Sequence, residues 1–375
     1  MYNKSIYGGY VDFINKAMSN QDIHQLASDY SKISGITFST QLNEQTNEPE
    51  LPTPHENDLG VEGLAKLLNI SYVAKPRIGD HPDFLHLRYQ PMGTLEKHYI
   101  VSMFIDVKGS TNLYKKYSAT RIYYITQMII LAGTHTCSLF GGHILRLQGD
   151  GISVYFGGKN VTKEKAVESA INAASFFSYF MRFDLKQIFE AYDIENIYSR
   201  IGIDFGDDED VNWAIFGGNQ CTELTTLSLH TSLAAKMQAN ADSNGIMIGD
   251  NVKSRLNGKA IYCDFIKDSF GNVDSKKRYI YEDASKKINY TQSKYNWQSY
   301  LKNSFHFVKS DSNGGLYIDY EAQPYADEKK RIDELANKMA LINSGNVAIN
   351  NKGNFVKPNL GLLIKPNNYY FNGEK

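Results

Sequence analysis

Two aspartates stand where apolar runs meet glycine turns. The stretch YIVSMFIDVKGST, residues 99–111, leads bulky and β-branched residues into Asp106 and then into a Gly109-Ser110-Thr111 turn. Further on, ILRLQGDGISVYF, residues 144–156, carries Asp150 in a Gly-Asp-Gly turn between two more apolar runs. A carboxylate at the end of a buried strand is costly without a partner. Mg²⁺ favours one or two carboxylates and completes its shell with substrate phosphates. Two such ions about 3.5–4 Å apart can hold the attacking and leaving oxygens of an in-line phosphoryl displacement. Free N–H groups at a helix start favour phosphate oxygens, and Ser110 or Thr111 has the chemistry of an N-cap. An Asp in a Gly turn is by itself an ordinary surface feature. Two of them on consecutive elements point to phosphoryl chemistry.

The elements that must position them follow from periodicity. YIVSMFID reads as a strand, and the segment from Leu113 to Phe140 has helical spacing that Gly141 and Gly142 stop. HILRLQGDGISVYF reads as a hairpin and KEKAVESAINAASFFSYFMRF as a second long helix. YSRIGIDFGD and VNWAIFGG are strands, HTSLAAKMQANA a third helix, and GIMIGDNV a strand. The order β, α, β-hairpin, α, β, β, α, β describes an α+β fold, a ferredoxin-like α/β sandwich. In such a sandwich the first strand and the hairpin are neighbours, so both carboxylates project from one edge.

Around this core the sequence predicts an N-terminal extension, residues 1–96, with a flexible linker at about 39–58 rich in Asn, Glu, Gln and Pro. The α/β core itself is expected over 97–285. A C-terminal α/β extension, 286–375, holds a helix at WQSYLKN, a hairpin turning at Asn313-Gly314 and a helix over 327–343. Net charge is −1 in 375 residues, which leaves no general footprint for nucleic acid. Three scattered cysteines suggest no disulfide framework and fit a reducing compartment. No apolar run reaches the roughly 18 residues of a membrane span, so a cytoplasmic protein with no membrane partner is expected.

FIDVKGST, the following long helix and ILRLQGDGISVYF together resemble the catalytic domain of class III nucleotidyl cyclases. SRIGIDFGD and SLAAK resemble two further motifs of that family in degraded form. The resemblance implies that two divalent metal ions, Mg²⁺ or Mn²⁺, are held by Asp106, Asp150 and the Val107 backbone carbonyl. The triphosphate would lie at Gly109, Ser110 and Thr111. It also implies a homodimer with two interfacial sites. Metal aspartates come from one protomer, and base-reading and transition-state residues from the other. The family's base-reading positions fall on Arg146 and Thr225, and its transition-state asparagine and arginine on Ser232 and Lys236.

Arg146 offers donors and no acceptor, while Thr225 can do either. That pair suits uracil and tolerates cytosine, and no acidic reader for guanine is evident. The combination resembles the uridylate and cytidylate cyclases of the Pycsar anti-phage systems. UTP is the expected substrate and cyclic UMP the expected product, with CTP, ATP and a pseudo-cyclase without turnover as alternatives. The cyclic nucleotide would activate a separate effector that the cyclase does not itself bind.

Overall fold

The computed structural model describes residues 6–19, 22–34, 61–71, 76–194, 197–218, 221–285 and 288–324, together with Ala348–Ile349 and Phe355–Val356. The chain divides into two compact units, Met1–Ala322 and Gln323–Lys375. In the second unit the two short strands pair antiparallel. The linker expected at about 39–58 and the helix expected over 327–343 lie outside the described residues.

The first unit is built on one large sheet. Its strands are β1 (Ile100–Lys108), β2 (His143–Gln148), β3 (Gly151–Phe156) and β4 (Tyr198–Gly206). Next along the chain come β5 (Val211–Gly218) and β6 (Cys221–Ser228), which form a hairpin outside this sheet. Strands β7 (Gly245–Gly249), β8 (Tyr279–Asp283) and β9 (Ile288–Tyr295) follow, and the two-residue strand Cys263–Asp264 pairs with β9 off the main path. The spatial order is β8-β9-β7-β4-β1-β3-β2, and only the β4–β7 pair in it is parallel. Helix α2 (Ala119–Leu139) connects β1 to β2, and α3 (Lys163–Tyr179) connects β3 to β4. Each of these crossovers skips one strand, which gives the two split β-α-β units of a ferredoxin-like sandwich. The expected fold class is present.

Register fixes what each face carries. Paired residues share a face, and residues two apart along a strand repeat it. Val101, Met103, Ile105 and Val107 of β1 therefore lie with Ile201, Ile203, Phe205, Ile152, Val154 and Phe156 on one side, and all are buried. Helices α2 and α3 cover this side. Gly133 of α2 lies so close that a Cβ there would stand 2.6 Å from the Ile152 side chain and 3.2 Å from Phe177. The opposite side carries Ser102, Phe104 and Asp106 with Arg200, Gly202 and Asp204, and with Ser153, Tyr155 and Arg146. Helix α4 (Leu229–Asn240) covers part of this mixed face.

Three elements depart from the sequence reading. The Gly109-Ser110-Thr111 turn opens only a 3₁₀ segment, Ser110–Lys115, and the long helix begins at Ala119. Strand β6 is additional, so VNWAIFGG belongs to a hairpin rather than standing alone. Strand β9 pairs with β7, so the sheet of the expected catalytic domain continues past residue 285. The hairpin expected at Asn313-Gly314 is present as Val308–Ser310 paired with Leu316–Ile318.

The N-terminal region packs on this unit through two segments. Helix α1 (Gly8–Met18) buries Tyr7, whose hydroxyl lies 2.9 Å from that of Thr136 in α2. Residues 78–90 reach the opposite end of the sheet. Ile78 bridges to Ile144 at the free edge of β2, and Phe84 stacks on Trp213 of β5 at 3.9 Å between ring centres. No helix among the described residues is long and apolar enough to cross a membrane.

Candidate active site

Asp106 lies two residues before the end of β1 on the mixed face, in register with Gly151 of β3 on one side and Arg200 of β4 on the other. Asp150, one residue before Gly151, sits in the tight β2–β3 turn, which Gly149 permits with a φ of 65°. The two aspartates are thus brought to one end of the sheet. Ser110 donates to the Asp150 carboxylate at 2.6 Å, tying the turn after β1 to the turn before β3. Gly109 has a φ of 85°, a left-handed conformation that favours glycine and lets the chain fold back at this point. Ser110 is not a helix cap, because its hydroxyl is committed to Asp150.

Arg200, which the sequence reading left without a role, donates to Asp106 at 2.6 Å and to the Ala239 carbonyl at the end of α4 at 3.1 Å. It is the arginine of the SRIGIDFGD motif, and it couples α4 to the carboxylate. Two part-exposed carboxylates, one near the end of β1 and one in the adjacent β2–β3 turn, fit a hard divalent cation, which prefers oxygen ligands. No group of three or more His, Cys, Asp or Glu side chains gathers among the described residues. An ion held here would therefore draw its remaining ligands from backbone, water or substrate.

The base-reading candidates lie further along the same face. Arg146 of β2 is in register with Ser153, next to a bulge that accommodates Leu145. Its guanidinium forms an ion pair with Glu223 of β6. Thr225 stands two residues beyond Glu223, and its hydroxyl lies 3.0 Å from that of Tyr155. Tyr155 also reaches Thr226 at 2.9 Å, and Thr226 reaches Thr231 of α4 at 3.0 Å. The structure does bring Arg146 and Thr225 to one region. The group it sets against Arg146, however, is an acidic residue of the kind the sequence reading found no sign of. Arg88 donates to Thr222 at 2.9 Å and pairs with Asp80, which braces this end of β6 with the N-terminal segment.

Helix α4 explains the glycine in SRIGIDFGD. A Cβ on Gly202 would stand 2.1 Å from the Ala234 carbonyl and 2.3 Å from the Gln238 nitrogen, so the helix crosses β4 in direct backbone contact. His230, Leu233, Ala234 and Met237 turn inward, and Thr231 reaches Ser102 at 2.8 Å. Ser232 and Lys236 fall on the exposed side. The Ser232 hydroxyl turns back on the Ser228 carbonyl at 3.3 Å.

The start of α4 is held by a buried polar cluster that sequence reading missed. Asp204 is fully buried and accepts from Tyr290 at 2.7 Å and from its neighbour's backbone Phe205 N–H at 2.9 Å. His230 Nδ1 lies 2.8 Å from its other oxygen. Burial pushes the Asp204 carboxyl up, while the bonds from His230 and Tyr290 oppose the rise without cancelling it. Burial alone would lower His230, but the hydrogen bond and charge of Asp204 outweigh it and hold the imidazole above its ordinary value of 6.5.

No family model matches the chain. A cytidylate cyclase of Staphylococcus aureus is 36% identical over 282 residues, 74% of this chain and 63% of that protein. A cytidylate cyclase of Escherichia coli is 36% identical over 237 residues, 61% of this chain and 48% of its own length. The chain thus spans between about half and under two thirds of these relatives. Among solved structures, the adenylyl cyclase CyaB from P. aeruginosa aligns over 54% of this chain and 95% of its own at 18% identity, with a TM-score of 0.44. The guanylyl cyclase Cya2 aligns over 54% and 93% at 14% identity, with a TM-score of 0.42. The resemblance read in the sequence holds at the level of the class: the chain is a relative of the nucleotidyl cyclases. Within that class, the curated relatives it matches are named for cytidylate.

Proposed function

We propose that this chain is a cytidylate cyclase, converting CTP to 3′,5′-cyclic CMP and pyrophosphate. The observation that carries the reaction type is the placement of Asp106, in register with Gly151, beside Asp150 in the neighbouring turn, with Ser110 of the loop after β1 bonded to Asp150. The names of the relatives support cytosine, and the uridylate expectation gives way to its cytidylate alternative on that ground.

In the proposed reaction the 3′-oxygen of the ribose forms a bond to the α-phosphorus. The bond from that phosphorus to the bridging oxygen of the β-phosphate breaks, and the 3′-hydroxyl proton passes to solvent. Divalent cations, when bound, acidify the 3′-hydroxyl and neutralise the departing pyrophosphate. Asp106 and Asp150 would supply the carboxylate ligands of those ions, and the Val107 carbonyl a neutral one. The Gly109-Ser110-Thr111 turn lies beside them and lines the triphosphate. Ser110 keeps Asp150 oriented, and Arg200 does the same for Asp106.

The proposed active form is a homodimer. Apolar side chains left exposed around the β5–β6 hairpin support it: Tyr89 is 88% exposed, Leu227 56% and Leu229 43%. In that arrangement the base-reading face of one protomer meets the metal carboxylates of its partner, with Ser232 and Lys236 presented from the outer side of α4. A role in antiviral signalling through a separate effector is part of the same proposal, supported by the resemblance to the Pycsar cyclases. Incubating the chain with each of the four ribonucleoside triphosphates and Mn²⁺, and resolving the products, tests the reaction and its substrate together.

A further inference from the structure

We infer that Glu223, acting with Arg146, is the residue that distinguishes cytosine from uracil; the inference rests on the cytidylate reading and deepens it. The two side chains form an ion pair across different sheets, Arg146 from β2 and Glu223 from β6. Both remain more than a third exposed, at 39% and 37%, so the pair is open to a ligand. Neither group is saturated by the other. A guanidinium has five N–H donors in a planar fork, and a carboxylate has about four lone-pair positions.

The Watson–Crick edge of cytosine presents an amino donor, then the N3 acceptor, then the O2 acceptor. Arg146 can fork onto N3 and O2, while Glu223 accepts from the amino group. Uracil offers an acceptor at O4 and a donor at N3. Against uracil, a carboxylate placed for the amino group faces the O4 lone pairs, and the fork loses its acceptor at N3. An aligned carboxylate therefore both rewards cytosine and penalises uracil, which is how polar sites reach large discrimination. Thr225, the acceptor expected from the sequence, has its hydroxyl beside Tyr155. The acceptor opposite Arg146 is Glu223. The brace from Arg88 to the adjacent Thr222 holds this stretch of β6 in place.

The test is the ratio of kcat/KM for CTP to that for UTP, measured in the full chain and in Glu223→Gln. The amide keeps the shape but can turn its N–H₂ toward O4. The ratio is expected to fall by about ten- to a hundredfold, the size of one charge-assisted hydrogen bond. Glu223→Asp keeps the acceptor, so it should retain part of the preference. That variant also serves as the reference if the glutamine substitution perturbs folding. A wild type that prefers CTP, with variants that lose activity toward both nucleotides equally, overturns the assignment of Glu223 and leaves the cytidylate reading standing. A wild type that prefers another nucleotide overturns that reading, and the assignment with it.

Discussion

At the scale of single residues, the account turns on where charge is placed and what faces it. Asp106 and Asp150 are each met by one donor, Arg200 and Ser110, at 2.6 Å. Removing a carboxylate that ligates a metal should cost more than losing a group behind the ligands, for which 10- to 100-fold is typical. Asp106→Ala and Asp150→Ala are each expected to lower product formation by at least about 100-fold. Their thermal melts should stay close to that of the parent chain. Undiminished cyclisation in either variant, read by product chromatography, would remove the two-carboxylate mechanism.

The buried pair Asp204–His230 makes a different kind of prediction. His230 has a folded pKa above 6.5, so its stabilising contribution is fully present below pH 6.5 and is lost as pH rises through the raised value. Asp204 is also raised, so deprotonating it in the fold likewise weakens stability as pH rises. Melting temperature should therefore decline on the alkaline side of pH 6.5. His230→Gln leaves Asp204 buried without its cation and should cost about 3–5 kcal/mol. It should also change the slope of melting temperature against pH, because the His230 contribution disappears while Asp204 is raised further. A parallel slope in parent and variant would assign the pH dependence to other groups.

At the scale of elements, α4 is the part whose position depends most on one residue. Gly202→Ala places a methyl group against backbone atoms that cannot rotate away. The expected cost is about 1–3 kcal/mol. Denaturant unfolding measures the cost, and the activity loss should exceed what the stability loss alone explains, because α4 carries Thr231, Ser232 and Lys236. Equal stability and activity in the variant would mean the helix can shift without consequence.

Much of this architecture was legible. Strand β1 is dense in β-branched residues, β3 and β4 alternate or run apolar, α3 has a continuous apolar stripe, and the Gly-Asp-Gly turn marks its own hairpin. What escaped reading has physical reasons. The Thr- and Ser-rich run of β6 has one fully buried side chain, Leu224, and so gives little hydrophobic contrast. Strand β9, INYTQSKY, is similarly polar, because its partners rather than its own apolar content hold it. The start of α2 was placed too early because Ser110 and Thr111 look like caps, whereas the Ser110 hydroxyl serves Asp150. Glu223 could not be found from sequence at all. Its importance lies in a contact with Arg146, far away in the chain and on another sheet.

At the scale of the whole molecule, the described parts of the N-terminal extension, and of the C-terminal extension as far as Ala322, belong to the first compact unit. The 78–90 segment lies against Ile144, Trp213 and Thr222, so the base-reading end depends on residues that precede the ferredoxin-like core. Truncation before β1 should therefore impair nucleotide preference as well as stability. The dimer is the other whole-molecule claim. Leu227→Glu puts charge at an exposed apolar position of the hairpin and is expected to yield monomers by light scattering, with activity lost in proportion to the dimer. A fully active monomer would contradict a shared site.

The reaction and its base can be read in one assay, which supplies CTP, UTP, ATP and GTP in equal amounts with Mn²⁺ and quantifies each cyclic product. Cyclic CMP as the dominant product, absent from Asp106→Ala, is the predicted result. A dominant cyclic product from any other nucleotide, or no product from an intact dimer, would contradict the account.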